Sequence, residues 1–164
     1  MALKTYDRDS AVAYARQWAL ARNPKYYDYD GLGGDCTNFA SQCLYAGSGV
    51  MNHKPTFGWY YYGANNHSPS WTGVPYLFNF LTRKSGPGPV GEEVSIDAVQ
   101  PGDISQFADT SGRFTHTQVI VNIEKDLGLD GIYVATHTYD SLDRALSSYQ
   151  FLKMRFIHIL GVRE

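Results

Sequence analysis

The apolar positions in the first part of the chain recur at helical spacing. Residues 10–22 carry them three and four apart, which predicts an amphipathic helix with Asp9 or Ser10 as its N-cap. Residues 35–46 repeat the pattern and predict a second helix, for which Gly47 is the expected C-cap. The chain is therefore expected to begin with helices.

Two irregular stretches flank a third predicted helix. Residues 48–70 show no sustained period and are long for a connection within a compact domain, which favours a functional excursion. Thr72 is expected to cap a helix through residues 73–81, since a proline is tolerated in the first helical turn. Residues 83–93 are rich in glycine and proline and predict a flexible connector.

From residue 96 onward the pattern changes to that of β-strands. Four apolar or alternating runs, separated by turns rich in Gly and Asp, predict strands at residues 104–107, 114–123, 131–138 and 151–162. This order predicts an α+β fold in which N-terminal helices pack on a C-terminal antiparallel β-sheet. We expect one domain over residues 1–164, with a cleft where the second helix meets the sheet.

Composition and charge exclude several classes of function. The 164 residues are 43% hydrophobic and 18% charged, values typical of a globular protein that buries a core without disulfides or metals. The formal charge of -2 disfavours binding to nucleic acid or acidic lipid. Charged residues interrupt the N-terminus, and no segment approaches the roughly 20 apolar residues of a membrane span. We therefore expect no signal peptide and no membrane segment, and we expect a monomer.

Cys36 follows two glycines and an aspartate at the predicted start of the second helix. Unpaired N–H groups and the positive end of the helix dipole favour thiolate there, so the pKa of this thiol is expected to fall. The N–H of Cys36 is a candidate oxyanion donor, and Asp35 is expected to cap the first turn. The alternative is that Cys36 is a small buried apolar residue, which is our interpretation of Cys43. The two lie two helical turns apart, beyond disulfide reach, and are expected to be free thiols.

Two histidines are expected to meet at one end of the sheet, because antiparallel pairing of their strands makes them neighbours. His116 is the candidate base for Cys36, and His137 is the first candidate for the group that orients the base, with Asp140 as the alternative. A thiolate and imidazolium pair would then switch activity on as the pH rises through the neutral range. Each histidine could instead be a strand-end residue bonded to backbone. The remaining three are expected to be structural or on the surface: His53, His67 and His158.

Aromatic residues make up 15% of the chain, with 13 tyrosines, more than a core of this size needs. Trp59, Tyr60, Tyr61, Tyr62 and Trp71 are candidates for lining a substrate groove. The alternative is that these rings pack the core beneath the long irregular segment. Zinc is a rival use for one cysteine and two histidines, but no CxxC or HExxH spacing is present.

Several motifs together resemble the putative amidase domain family of bacterial and phage wall proteins, a family related to the CHAP and NlpC-type cysteine hydrolases. They are "DCTNFASQCLYAG", "SWTGVPYLFNFL", "VQPGDISQF", "FTHTQVIV" and "YVATHTYD", and the match runs from about Tyr6 to about Ser148. The resemblance implies a papain-like fold and hydrolysis of an amide bond in peptidoglycan at the bacterial cell wall, as in the catalytic module of a phage endolysin.

The resemblance also assigns roles to residues. It implies Cys36 as nucleophile, His116 as base and His137 as the third member of the site. In the acyl transfer that follows, the Cys36 N–H together with Tyr26 or Tyr27 would hold the oxyanion. This chemistry needs no cofactor.

The resemblance raises the question of whether the protein binds calcium. CHAP enzymes can bind it through an aspartate-rich loop before the cysteine, and residues 28–31 are similar to that loop. Two aspartates alone are weak ligands, and Asn38 stands where a further acid would be needed. We therefore expect no calcium.

Two other interpretations remain open at the level of sequence. The domain could be a wall-binding module that has kept the fold without catalysis. It could also be another papain-like enzyme, such as a peptidase or acyltransferase acting on a different substrate.

Overall fold

Helices cover one face of a six-stranded antiparallel sheet in the computed structural model, which describes residues 2–164. The helices are α1 (Arg8–Trp18), α2 (Cys36–Ser48), α3 (Pro69–Thr72) and α4 (Val74–Leu81). The strands are β1 (Tyr61–Gly63), β2 (Asn66–His67), β3 (Gly88–Val94), β4 (Ile104–Ala108), β5 (Phe114–Ile123), β6 (Ile132–Thr136), β7 (Ser141–Ala145) and β8 (Lys153–Arg163). The first two strands form a separate hairpin, and the sheet has the order β3-β8-β4-β5-β6-β7. The predicted α+β class is confirmed.

Helix α1 begins and ends earlier than its pattern predicts. Asp7, rather than Asp9 or Ser10, is the N-cap, because its carboxylate accepts the Ser10 N–H at 3.0 Å. The helix ends at Trp18, whose carbonyl accepts from the Ala21 N–H at 3.2 Å and from the His137 ring at 2.8 Å. The end of this helix is thus bonded to the residue that follows β6.

Helix α2 runs two residues beyond its predicted end. Gly49, at φ 66, is its left-handed C-cap, whereas the predicted cap Gly47 lies within the helix. Gly47 is needed for another reason, since a Cβ at this position would lie 2.5 Å from the Tyr6 ring. The absence of a side chain lets α2 approach the N-terminal segment closely.

The third predicted helix is α4, and a short helix that was not predicted, α3, precedes it with Gly73 between the two. Thr72 is the last residue of α3 and does not cap α4, whose N-cap position is Gly73. The predicted flexible connector at 83–93 is also wrong in part, because β3 lies within it and pairs with β8 at the sheet edge. Arg83 orders this stretch by donating to the carbonyls of Gly86, Pro87 and Pro89.

The sheet separates two hydrophobic clusters. Side chains of Val119 and Val121 on β5 join the helices in the larger cluster, whereas Ile120 packs in a smaller cluster on the opposite face. The four predicted strand runs all contain strands, β5 with the predicted bounds, but β7 was not predicted. Alternation along β5 therefore decides which face each candidate side chain reaches. Within residues 2–164, no helix has the length and apolar character needed to cross a membrane.

Candidate active site

Cys36 is the first residue of α2 and is 7% exposed. Gly33 and Gly34, at φ 101 and φ 102, turn the chain sharply into the helix, as the sequence suggested. The Cys36 Sγ lies 3.7 Å from the Thr37 hydroxyl, and that hydroxyl lies 2.9 Å from the hydroxyl of Thr117 on β5. The start of the helix is thus joined to the central part of the sheet.

The thiol of Cys36 is in its protonated form at neutral pH. Burial raises its pKa, and hydrogen bonding from the backbone of Thr117 and from Thr37 opposes that rise without reversing it. The expectation that the helix terminus lowers this pKa is therefore wrong for the unliganded protein. Removal of the sulfur from water outweighs the hydrogen bonds that favour the thiolate.

His116 lies on β5 directly before Thr117 and is 9% exposed. Its ring packs against Phe107, with centroids 4.9 Å apart, and near Tyr149 at 6.0 Å. Burial, assisted by the positive charge of Arg144, lowers the pKa of His116 to about 4. The imidazole is therefore neutral at pH 7, and it has a lone pair available as a base.

The hydrogen bonds of Thr136 identify which ring nitrogen of His116 is the basic one. The Thr136 hydroxyl donates to the His137 carbonyl at 2.7 Å, so its oxygen accepts from His116 Nε2, which lies 3.1 Å away. This arrangement assigns the proton to Nε2 and leaves the lone pair on Nδ1. The group that orients His116 is thus Thr136, rather than His137 or Asp140 as the sequence suggested.

Cys36 and His116 are connected through Thr117, whose side chain faces α2 and alternates with that of His116 along β5. The thiol receives hydrogen bonding from the Thr117 backbone, and His116 is the preceding residue of the same strand. Within the described residues 2–164, Cys36 Sγ makes no hydrogen bond to an imidazole. Catalytic hydrogen bonds often tighten only when substrate binds, so an open pair of this kind is compatible with a nucleophile and its base.

His137 is bonded to other groups on the helix-covered face. Its ring stacks on Phe39 with centroids 4.1 Å apart, Nδ1 lies 2.5 Å from Asp35 Oδ2, and Nε2 lies 2.8 Å from the Trp18 carbonyl. Both ring nitrogens face oxygen acceptors, so neither is free to receive a proton from Cys36. His137 instead anchors the residue that precedes Cys36.

Asp35 does not cap α2 as predicted, because its carboxylate is used elsewhere. Oδ1 accepts from the Tyr29 N–H at 2.9 Å and from the Asn38 amide at 2.8 Å. The same amide donates to the Tyr27 carbonyl at 2.8 Å, and the Trp71 indole donates to Asn38 Oδ1 at 3.0 Å. This buried network fixes the loop before Cys36 against the first turn of the helix.

Arg22 is surrounded by four carboxylates at the outer side of this network. Its guanidinium lies 3.2 Å from Asp28, 2.8 Å from Asp140 and 3.8 Å from Asp35, and it also contacts Asp30. The aspartates of the calcium-like loop therefore have an arginine as their counter-ion. Asp140 binds this arginine and not His116. No group of three or more His, Cys, Asp or Glu suited to a metal is found in residues 2–164.

The predicted substrate groove is largely part of the core. Trp59 and Trp71 are fully buried and pack against each other with ring centroids 4.7 Å apart, so they do not line a surface. Tyr60 and Tyr61 are half-buried, and Tyr62 is 54% exposed. The tryptophans are buried because their indole N–H groups find acceptors within the helices, as the alternative core interpretation requires.

The two predicted oxyanion tyrosines also have other contacts. Tyr26 packs on Tyr61 and stacks with Trp71, with centroids 5.0 and 6.1 Å apart. Tyr27 is 44% exposed, and its backbone N–H donates to the Tyr61 hydroxyl at 2.8 Å. Neither hydroxyl hydrogen-bonds within the site, which leaves the Cys36 N–H as the candidate donor.

Sequence reasoning missed the threonines and the arginine that organise the site. Three threonines accompany the candidate residues: Thr37 follows Cys36, Thr117 follows His116, and Thr136 is bonded to His116. Threonine is common in strands, so its presence in the sequence does not indicate a catalytic site. Arg22 lies within a predicted helix, and nothing in the adjacent sequence indicates that four carboxylates gather around it in the fold.

Comparisons with known proteins point to one family. The family described as "Putative amidase domain" has a sequence model that matches residues 5–160. A relative from Bacillus subtilis (strain 168), named "Uncharacterized protein YhbB", is 34% identical over 139 residues. This alignment covers 83% of the chain but 42% of the relative, so the chain spans less than half of that protein. No solved structure matches the chain.

Proposed function

The chain belongs to the putative amidase domain family, and from this premise we propose that it hydrolyses an amide bond of peptidoglycan through a Cys36 acyl-enzyme. The observation that carries the proposal is that Cys36, at the start of α2, receives hydrogen bonding from the backbone of Thr117. The residue before Thr117 on β5 is His116, which is neutral and whose Nε2 is bonded to Thr136. A papain-like arrangement of helix and sheet is part of this proposal.

The first step transfers a proton and forms a bond. His116 Nδ1 takes the thiol proton as the Cys36 sulfur attacks the substrate carbonyl, and the electron pair of the C=O bond moves to oxygen. The N–H of Cys36, at the first turn of α2, donates to that oxyanion. Burial disfavours both the Cys36 thiolate and the His116 imidazolium. The proton is therefore transferred only when substrate is bound and the negative charge moves on to the carbonyl oxygen at the start of α2.

The second half of the reaction releases the products. The imidazolium of His116 protonates the leaving amine as the C–N bond breaks, and water then attacks the thioester with His116 again as base. Thr136 keeps the Nε2–H tautomer throughout by accepting that proton's hydrogen bond. Asp35 and His137 hold the Cys36 loop in place and take no proton from substrate.

Peptidoglycan is proposed as substrate because the motifs resemble those of wall hydrolases, and a phage endolysin is the proposed setting. The bond cut would be the amide between muramic acid and L-alanine or one within the peptide. A wall-binding module without catalysis is the second candidate. The observation that favours it is the open geometry between Cys36 and His116, which lacks a hydrogen bond within the described chain.

One experiment separates the two candidates. Purified Gram-positive walls are incubated with the protein and with the Cys36→Ala and Cys43→Ala variants, and released fragments are identified by mass spectrometry. We expect new amines from the native protein and from Cys43→Ala, and none from Cys36→Ala. Fragments released equally by Cys36→Ala would refute the thiol mechanism, and wall binding without any fragments would support the binding module.

A further inference from the structure

A small cavity lies beside the loop that leads into α2. It has a volume of about 450 Å³ and is lined by Tyr27, Tyr29, Leu32, Ala64, Asn65 and His67. The tyrosines and Leu32 belong to the loop before Cys36, and the others belong to the β1–β2 hairpin. None of the five aromatic residues that the sequence suggested for a groove lines this cavity: Trp59, Tyr60, Tyr61, Tyr62 and Trp71.

The cavity is connected directly to the residues around Cys36. The Tyr29 N–H donates to Asp35 at 2.9 Å, and the Tyr27 carbonyl accepts from Asn38 at 2.8 Å. Asp35 precedes Cys36, and Asn38 follows it within the first turn of α2. A group bound in the cavity is therefore held at a fixed position relative to the nucleophile.

The walls of the cavity are already ordered without a ligand. The Tyr27 and Tyr29 rings meet edge to face with centroids 4.9 Å apart, and the Tyr29 ring meets His67 at 5.5 Å. The Tyr29 hydroxyl donates to the Ala64 carbonyl at 2.7 Å, which joins the loop to the hairpin. Tyr27 and Leu32 remain 44% and 66% exposed, so their apolar surfaces are open to a ligand.

The chemistry of the lining favours a neutral ligand. None of the lining residues is Lys, Arg, Asp or Glu, and Asn65 supplies an amide that can donate and accept. A charged stem-peptide side chain would lose water here without gaining a counter-ion. A sugar ring has an apolar C–H face that packs on aromatic rings, and an N-acetyl group matches the amide of Asn65.

We propose that this cavity is a subsite for an N-acetylhexosamine ring of the glycan strand. The inference rests on the proposed function for its choice of polymer, and it assigns the sugar side of the substrate to the loop that carries Cys36. The peptide side then extends toward His116. The subsite would thus orient the wall strand relative to Cys36.

The test uses binding to a protein that cannot turn over substrate. The Cys36→Ala protein is titrated with the N-acetylglucosamine trimer, and affinity is measured by calorimetry. Tyr27→Ala and Leu32→Glu are each added to this background, and Tyr76→Ala serves as the matched control, since Tyr76 is 56% exposed on α4 outside the cavity. We expect the two cavity variants to weaken binding by about fivefold or more and the control to leave it unchanged. Circular dichroism of each variant shows that its fold is retained.

The outcomes distinguish this inference from the proposed function. If the trimer does not bind, or binds equally to all variants, while the native protein still releases amines from walls, the subsite is refuted and the hydrolase remains. If the uncharged trimer does not bind and a free stem peptide binds in the cavity instead, the sugar assignment is likewise refuted. If the trimer binds as expected but no amine is released from walls, the subsite stands and the hydrolase fails.

Discussion

His137 and Asp35 form a buried pair in which Nδ1 and Oδ2 lie 2.5 Å apart and each side chain is 1% exposed. The pair joins the end of β6 to the residue before Cys36, and it stands on the helix-covered face of the sheet. In the proposed mechanism its role is to position the loop that leads to Cys36. This role differs from that of a catalytic base, and mutations can separate the two.

Replacing His137 with Ala is expected to destabilise the protein more than it alters the chemistry. The change leaves the Asp35 carboxylate buried without its imidazole, and we expect a loss of about 3 kcal/mol in the free energy of unfolding, measured in urea. His53→Ala is the control, since His53 is exposed and should change stability by less than about 0.5 kcal/mol. Equal stability of the two variants would contradict the positioning role.

Alkylation of Cys36 should be slow at neutral pH and accelerate only in alkaline solution. Burial raises the pKa of this thiol above its ordinary value of 9.0, so the reactive thiolate forms only in alkaline solution. The rate with iodoacetamide is measured against pH by mass spectrometry of the peptides. Cys43, fully buried, reports unfolding if it reacts. An inflection below pH 7 would show the thiolate and imidazolium pair that the sequence suggested.

The pH dependence of stability should carry the signature of His116. Its pKa falls from 6.5 in the unfolded chain to about 4 in the fold, so the unfolded state binds the extra proton first as the pH drops. Its contribution is complete above pH 6.5 and is lost as the pH falls toward 4. Between pH 7 and pH 5 the free energy of unfolding should drop by about 2 kcal/mol more in the native protein than in His116→Gln. Parallel curves for the two proteins would contradict the assigned shift.

Thr136 should affect turnover and not substrate affinity. Thr136→Val keeps the shape but removes the acceptor for His116 Nε2–H, so the wrong tautomer becomes accessible. We expect kcat on wall fragments to fall about tenfold, equal to ~1.4 kcal/mol of transition-state stabilisation, with KM unchanged. Thr136→Ser restores the hydroxyl and should recover most of the rate. Failure of serine to rescue would indicate a packing role only.

Arg22 is expected to stabilise the fold through its positive charge. Arg22→Ala leaves four aspartates facing each other, so the variant should be less stable than native protein and should regain stability as salt is added. Arg16→Ala is the matched control, because Arg16, on α1, binds an aspartate, Asp143, at 2.8 Å on the protein surface. An exposed pair of this kind contributes at most about 1 kcal/mol. A similar loss in both variants, insensitive to salt, would contradict the network.

Sequence reasoning was most successful where the signal was local. The bounds of β5 follow from its run rich in β-branched residues, and the position of Cys36 after Gly33 and Gly34 follows from the turn that those glycines permit. The strand β3 was missed because glycine and proline there resemble a linker. Its order comes from pairing with β8 and from Arg83, and both are distant or side-chain contacts.

The sequence by itself determined the α+β class, the helix that begins at Cys36 and the strand that carries His116, because periodicity and turn chemistry act over a few residues. Only the tertiary structure decided that Thr136 binds His116, that His137 turns to Asp35 and that the two tryptophans are buried. It also decided the direction of both pKa shifts. These properties depend on which face of a strand meets which element and on how much water is excluded there, and no short stretch of sequence contains that information.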